Sequence, residues 1–466
     1  MTAADADGTA PRSIDELIGS VGTFMSRAVE AQQVAAILES QGLNDKIARE
    51  RYGHPDVFSL AAAAFSRIAE TRQPGPATEE VLPRARPAAQ MTHGLLYALP
   101  AVLLPAASGL VGARWLMPGM VLTTGLGWIL SSTAAQLAYS LIGRGMPGSA
   151  GRVLRSGLLL GVLAGVVMSA TLALYRNGPA ALVALGATQM AFQLSSGILL
   201  LYRREKRLAV FMLPAAAAGV VYIGVGEPEA ALLAVCLGVV CVAAITGAAV
   251  RLTLRTTKKE PALRTLLRTD LRGLLPSFVY SVLSATFLLQ AEAPYVLDRI
   301  DIAVAGAGLV LGMGVLEYRA HAFEDEARAL IRQVRYPAEF IRRAAVALAR
   351  GVVLCLLALS VLAVLPLAFL YATGALSHES MVMAAAHVTV GGAYFLGFLL
   401  ANQGKVVLLC VVQGMALAVH PGAGLLLPAA HVPLADVRLF LGAAAMFLVF
   451  LLVLAASGLR DVHRFC

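Results

Sequence analysis

The chain has 466 residues, of which 58% are apolar and only 14% charged, against about 25% charged in an ordinary soluble domain. That balance excludes a soluble globular protein of this length. The formal charge of +9 does not make it a nucleic-acid binder either: residues 1–91 are mildly acidic, and the basic excess falls in alternate loops between apolar blocks, as membrane topology requires.

Residues 1–73 read as a small helical cytoplasmic segment. Ser13-Ile14-Asp15-Glu16 has the form of a capping box, and Leu17, Val21, Phe24 and Ala28 follow at helical spacing as far as Gly42. Asn44 can cap a second helix, and His54-Pro55-Asp56 can start a third through Val57, Leu60 and Phe65. Residues 74–92 are Pro-rich without periodicity and read as a linker. Polar sequence over this whole stretch gives no cleavable signal peptide as the expectation.

From residue 93 the apolar blocks approach twenty residues, the span of a bilayer core. They predict twelve helices near 93–113, 117–142, 155–175, 180–202, 208–225, 229–250, 273–291, 299–317, 351–372, 380–401, 405–427 and 437–458. Arginines and lysines gather after the second, fourth, sixth and eighth helices, as Arg144/Arg152/Arg155, Arg203–Arg207, residues 251–272 and Arg319–Arg350. The other loops hold little beyond Arg114, Arg176 and Arg438. The bias predicts an inner-membrane protein with both termini, including a 459–466 tail, in the cytoplasm. Cys236, Cys241, Cys355 and Cys410 lie within apolar blocks, where cysteine acts as a small hydrophobe.

The basic linker 251–272 divides the helices into halves at 93–250 and 273–458, and the halves echo each other. Gly94-Leu95-Leu96 with Pro100 matches Gly273-Leu274-Leu275 with Pro276; Tyr139/Arg144 matches Tyr318/Arg319; the short basic hairpin Tyr202–Arg207 matches Asn402–Lys405. An even number of helices per half makes the repeats parallel, about an axis along the membrane normal. An amphipathic insertion at 319–350 distinguishes the second half. Around Phe323, Leu330, Ile331, Phe340 and Ile341 it can lie on the inner leaflet with its arginines on lipid headgroups, or extend helices eight and nine.

This layout resembles the multidrug/oligosaccharidyl-lipid/polysaccharide (MOP) exporter superfamily. The segment Leu288-Leu289-Gln290-Ala291-Glu292 through Asp298-Arg299 to Gly312 makes the chain more similar to polysaccharide-type flippases than to drug exporters. The resemblance implies an all-α integral membrane fold and outward transport by alternating access. The long polar N-terminal segment departs from the family pattern.

Polar residues inside spans are the informative minority, since unpaired polar groups are costly in lipid. Gln189, Gln193 and Ser196 share one face of the fourth helix; with Gln136, Gln413 and His387 they are candidate lining for a substrate cavity, or else bonds between helices. His387 is also a candidate proton-coupling group. Gln290, Glu292, Asp298, Arg299 and Asp301 cluster between the seventh and eighth helices as a candidate gate or ion site, or as a solvated loop. His420 and His431 flank a loop where a metal site is conceivable, though no metal is expected. Gly157, Gly161 and Gly165 make a packing ridge. No nucleotide-binding loop, zinc-hydrolase or serine-hydrolase motif occurs, so neither a catalytic residue nor a cofactor is expected. The leading expectation is a transporter or flippase for an amphipathic glycan, lipid-linked intermediate or related metabolite, with membrane lipids as partners. The alternative is a non-transporting membrane scaffold recruiting a cytoplasmic biosynthetic enzyme through residues 1–73.

Overall fold

The structure is a computed structural model that describes residues 14–18, 31–71, 87–254, 263–295, 298–334, 336–426 and 432–460. The chain forms two compact units, residues 1–81 and 82–466. In the first, α1 (Ala31–Ser40), α2 (Asp45–Tyr52) and α3 (Val57–Thr71) enclose Val34, Leu38, Leu60, Ala61 and Ala64, with Leu17 in the same core. Asn44 caps α2 by accepting from the Ile47 N–H at 3.0 Å, and Gly53 ends it in the left-handed region at φ 70°. Asp45 Oδ1 accepts from the Val57 N–H at 3.0 Å, which ties the start of α2 to the start of α3. Ser13, Val21, Phe24 and Ala28, part of the expected first helix, lie outside the described residues, as does most of the linker.

The second unit is an all-α membrane bundle. Its long helices are α4 (Ala89–Val111), α5 (Ala113–Gly143), α6 (Pro147–Arg176), α7 (Ala181–Leu201), α8 (Glu205–Val225) and α9 (Pro228–Leu254), then α10 (Leu263–Glu292), α11 (Ile300–Ala305 and Ala307–Gln333), α12 (Pro337–Ala372), α13 (His378–Asn402), α14 (Val406–Leu426) and α15 (Pro433–Gly458). Among the described residues, eleven helices are long and apolar enough to cross a membrane. The twelfth long helix, α5, falls outside that set; it has 31 residues and carries Thr123, Ser132 and Thr133, whose hydroxyls donate back to carbonyls one turn earlier. α4 is broken by a 3-10 turn at Leu99–Leu103, because Pro100 and Pro105 each remove a donor. No strand occurs among the described residues.

Equivalent helices of the halves have equivalent neighbours. In the first half α5 packs on α6 and α7, α6 on α7, α7 on α9, and α8 on α9; in the second α11 packs on α12 and α13, α12 on α13, α13 on α15, and α14 on α15. The glycine ridge of α6 serves this packing: a Cβ at Gly161 would meet Leu194, and one at Gly165 would meet Met190 and the Gly186 carbonyl.

The 319–350 segment is not a surface helix. It extends α11 and α12 as a helical hairpin, with Phe323, Ala327 and Phe340 buried in the second-half core and Leu330, Ile331 and Ile341 against it. Arg350 closes the hairpin on Glu326 with Nη2 to carboxylate distances of 2.6 and 2.7 Å. Asn402 adds a bond to Glu324 at 2.7 Å.

The ends of the bundle differ. At the end carrying Arg203–Arg207 and Arg319, here termed the basic end, α4 packs against α11 of the other half. A Cβ at Gly94 would overlap the Leu311 carbonyl oxygen, and one at Gly314 the Gln90 carbonyl oxygen, so glycine permits this close approach from both sides. At the opposite end the outer piece of α4 packs on α8 and α9 of its own half, and Ile300–Ala305 packs on α12 and α13 of its own. α5 and α10 run together between the halves, joined by Ser132 Oγ to Ser281 Oγ at 2.8 Å. The loop charges predict that reporter fusions in 203–207 and 319–350 read cytoplasm and those near 177, 227 and 376 read the outside. A reversal in either half would overturn the topology.

Candidate functional site

Two groups of buried titratable side chains stand out, one at the basic end and one inside the second half. At the basic end His93, in the first turns of α4, reaches into both halves. Its Nδ1 lies 2.7 Å from Glu317 Oε2 on α11, and its Nε2 lies 3.5 Å from Glu205 Oε1 at the start of α8. Carboxylates only accept, so an imidazolium satisfies both partners and a neutral imidazole only one. Sequence reasoning passed over all three residues. Each lies at the margin of a span expected from sequence, where a polar residue draws no notice.

The second group descends from the outer rim of the second half into its core. At the rim Arg299 grips Asp301 with Nε and Nη2, each at 3.0 Å, and reaches Glu379 at 3.3 Å. Ser377 donates to Asp301 Oδ2 at 2.6 Å, while its own oxygen caps α13 by accepting from the Ser380 N–H. The hydrogen bonds to Asp301, more than any other influence, hold the Arg299 guanidinium above its usual range. Asp298 is exposed and makes no ion pair among the described residues.

Below the rim, Tyr295 donates to Asp436 Oδ2, and His420 Nε2 lies 2.9 Å from Asp436 Oδ1. Burial raises the Tyr295 phenol well above its ordinary range, and the bond to Asp436 pushes the same way. Phe440 separates this pair from a second one, its ring centroid 5.9 Å from that of His420 and 5.7 Å from that of His387. His387 Nε2 lies 2.9 Å from Glu292 Oε1, about 14 Å along α13 from its start at 1.5 Å per residue. The break in α11 faces this pair: a Cβ at Gly306 would meet Glu292 Oε1 at 2.5 Å and His387 Nε2 at 2.9 Å. Deeper still, Ser284 donates to Gln413 Oε1 at 3.0 Å and Tyr394 donates to the Ser284 carbonyl at 3.3 Å.

The residues singled out from sequence thus fall into separate groups. Arg299 and Asp301 pair with each other, while Glu292 leaves them for His387. Gln290 reaches the Leu417 carbonyl at 3.5 Å. Gln413 is fully buried within the second half. In the first half Ser196 donates back to the Gln193 carbonyl at 3.0 Å. Gln193 stands against Gly127 of α5, where a Cβ would overlap its amide oxygen, and that oxygen is buried without a hydrogen-bond partner. Gln189 is half-buried and Gln136 exposed. His420 finds Asp436 as its partner; His431 lies outside the described residues. No group of three or more metal-ligating side chains occurs among the described residues. The signal for His420 and Asp436 was available as two polar residues in apolar helices, but both lie near helix ends, where a solvated side chain is the ordinary expectation.

The sequence matches no protein-family model and no curated protein. Solved structures do match. An outward-facing multidrug resistance MATE family transporter of the MOP superfamily aligns at 13% identity over 84% of this chain and 98% of its own, with a TM-score of 0.50. A chain described only as protein A aligns at 15% identity over 81% and 94%, with a TM-score of 0.51. The MATE transporter ClbM in complex with Rb+ aligns at 14% identity over 84% and 99%, with a TM-score of 0.49. At such identities the likeness establishes the fold. This multi-pass membrane protein has a MATE-like fold.

Proposed function

We propose that this chain is a plasma-membrane transporter that works by alternating access, moving an amphipathic glycan, lipid-linked intermediate or related metabolite outward. The observation that carries the reading is the placement of the contacts between halves. Two similarly packed six-helix halves meet along α5 and α10 and, at the basic end, through α4 and α11, with His93 bridging Glu205 and Glu317; the outer pieces of α4 and α11 pack on helices of their own halves. A bundle joined this way can rock. The outward-facing state named for one structural neighbour fits that direction of opening. Within the second half, the Glu292–His387 pair supplies a proton-binding unit that can couple rocking to a gradient. The polysaccharide-type substrate rests on the sequence resemblance in the seventh and eighth helices.

Cysteine-accessibility labelling at positions 136, 189 and 193 tests the transport path without knowledge of the cargo. Gln193→Leu is expected to leave insertion and expression intact, because it removes a buried amide oxygen that has no partner, a group that costs about 1–3 kcal/mol when unsatisfied. It is expected to impair an export-dependent phenotype by deleting a group that meets cargo or water. Complete protection of all three positions, in resting and energised membranes, would end the cavity reading.

The N-terminal unit favours a second activity alongside transport. Its own apolar core makes it a separately packed module, which suits the recruitment of a cytoplasmic biosynthetic enzyme that the scaffold reading requires. Deleting residues 1–73 is expected to spare membrane insertion and to lower flux only when that enzyme is present.

A further inference from the structure

The basic end of the first half carries a groove that the transport reading does not use. It lies between α8 and α9 and has a volume of about 680 Å³, with Arg207 and Phe211 lining it on one side and Ala243, Ala244, Gly247 and Arg251 on the other. Its two ends differ in chemistry. Arg207 in the first turn of α8 and Arg251 in the last turn of α9 place two guanidiniums at the mouth. Both are exposed, and neither makes an ion pair among the described residues. Arg207 stands at a helix N-terminus, where the macrodipole disfavours a cation, so helix stability does not explain it. The neighbouring acid, Glu205, is turned to His93. Further in, the wall is the Phe211 ring and small residues of α9 with no polar side chain. The surrounding face exposes Val210, Leu213 and Val240 at 66%, 65% and 63%, a surface suited to hydrocarbon.

We propose that this groove holds an anionic glycerophospholipid of the leaflet at the basic end, its phosphate between Arg207 and Arg251 and one acyl chain along Gly247 and Ala243. The paired charges select the headgroup, since guanidinium forks match phosphate oxygens. The apolar floor selects the chain, which a soluble phosphate would not use. A zwitterionic lipid would fill the floor but leave excess positive charge at the mouth. The site is independent of the cargo and of the proton-binding pair.

The test uses the full-length protein in detergent, mixed with dioleoyl phosphatidylglycerol, dioleoyl phosphatidylcholine or glycerol phosphate, with bound species counted by native mass spectrometry. Phosphatidylglycerol is expected to be retained over phosphatidylcholine, and glycerol phosphate is expected neither to bind nor to compete. Arg207→Gln/Arg251→Gln should lower phosphatidylglycerol retention roughly tenfold or more, whereas Arg207→Lys/Arg251→Lys should keep the larger share. Arg203, Arg204 and Lys206 remain to hold the loop's topology in both variants. A Cβ at Gly247 meets nothing within 4 Å, so Gly247→Leu enters the groove without moving a helix; it should reduce lipid retention with both arginines in place. Wild-type retention in the double glutamine variant, equal retention of the two lipids, or displacement of phosphatidylglycerol by glycerol phosphate would each overturn the proposal.

Discussion

Replacing His93 with leucine is expected to open the basic end of the helix bundle. In the wild-type chain one imidazole ring stands between two carboxyl groups that are only 16% and 28% exposed, Glu205 in one half and Glu317 in the other. Without it the two acids lose the ring between them. Breaking a buried pair from one side costs about 3–5 kcal/mol; the partial exposure of Glu317 reduces that figure here. Even about 1.4 kcal/mol shifts a two-state equilibrium tenfold. The closeness of Gly94 to Leu311 opposes opening but carries no charge. Spin labels at Lys206 and His321, exposed positions on opposite halves, would read the separation. The expected result for His93→Leu is a longer and broader distance distribution. An unchanged distribution in the variant would mean that packing alone holds the end shut.

How much of this was legible in the sequence depends on how far each feature reaches along the chain. Spans were legible because each is one apolar run with its own charged flank, and the short hairpins at Tyr202–Arg207 and Asn402–Lys405 marked where runs reverse. Boundaries shifted where a local signal was overridden. Pro147 starts α6 well before the apolar block, since proline suits the first helical position. The period of Phe323, Leu330 and Phe340 could not distinguish a helix lying on lipid from one packed in a hairpin, because either burial needs one apolar face. The site was legible only in part. His387, Glu292 and Arg299 drew notice as charges in apolar surroundings, but their pairing did not, and His93 meets Glu317 across 224 residues. No spacing rule joins residues brought together by packing two halves.

The greatest loss of activity is expected at Glu292 and His387, and the two should fail differently. His387 Nδ1 faces the Met383 carbonyl at 3.0 Å. A carbonyl only accepts, so that nitrogen carries its proton and Nε2 is left to face Glu292 Oε1 at 2.9 Å. A lone pair against a carboxylate is repulsive; the contact is favourable when one further proton is shared between them, and that proton belongs to the pair rather than to either residue. His387→Leu removes the partner and strands the Glu292 charge beside Gly306 and Phe440. It is expected to destabilise the protein by less than the about 3–5 kcal/mol of a fully buried pair broken from one side, because Glu292 is 28% exposed, and to lower its yield in the membrane. Glu292→Gln is gentler, because the amide can donate to Nε2 of a neutral imidazole. That variant should fold and insert normally, yet bind about one proton fewer per chain when lightly buffered protein is taken from alkaline to acid pH, as a soluble indicator would read. Its export-dependent phenotype should fall roughly tenfold or more, the factor that about 1.4 kcal/mol represents. The double variant Glu292→Gln/His387→Leu should regain much of the stability lost by His387→Leu while remaining inactive, which separates folding from coupling. Equal proton uptake by Glu292→Gln and wild type, together with undiminished export, would remove this pair from the proposed transport cycle.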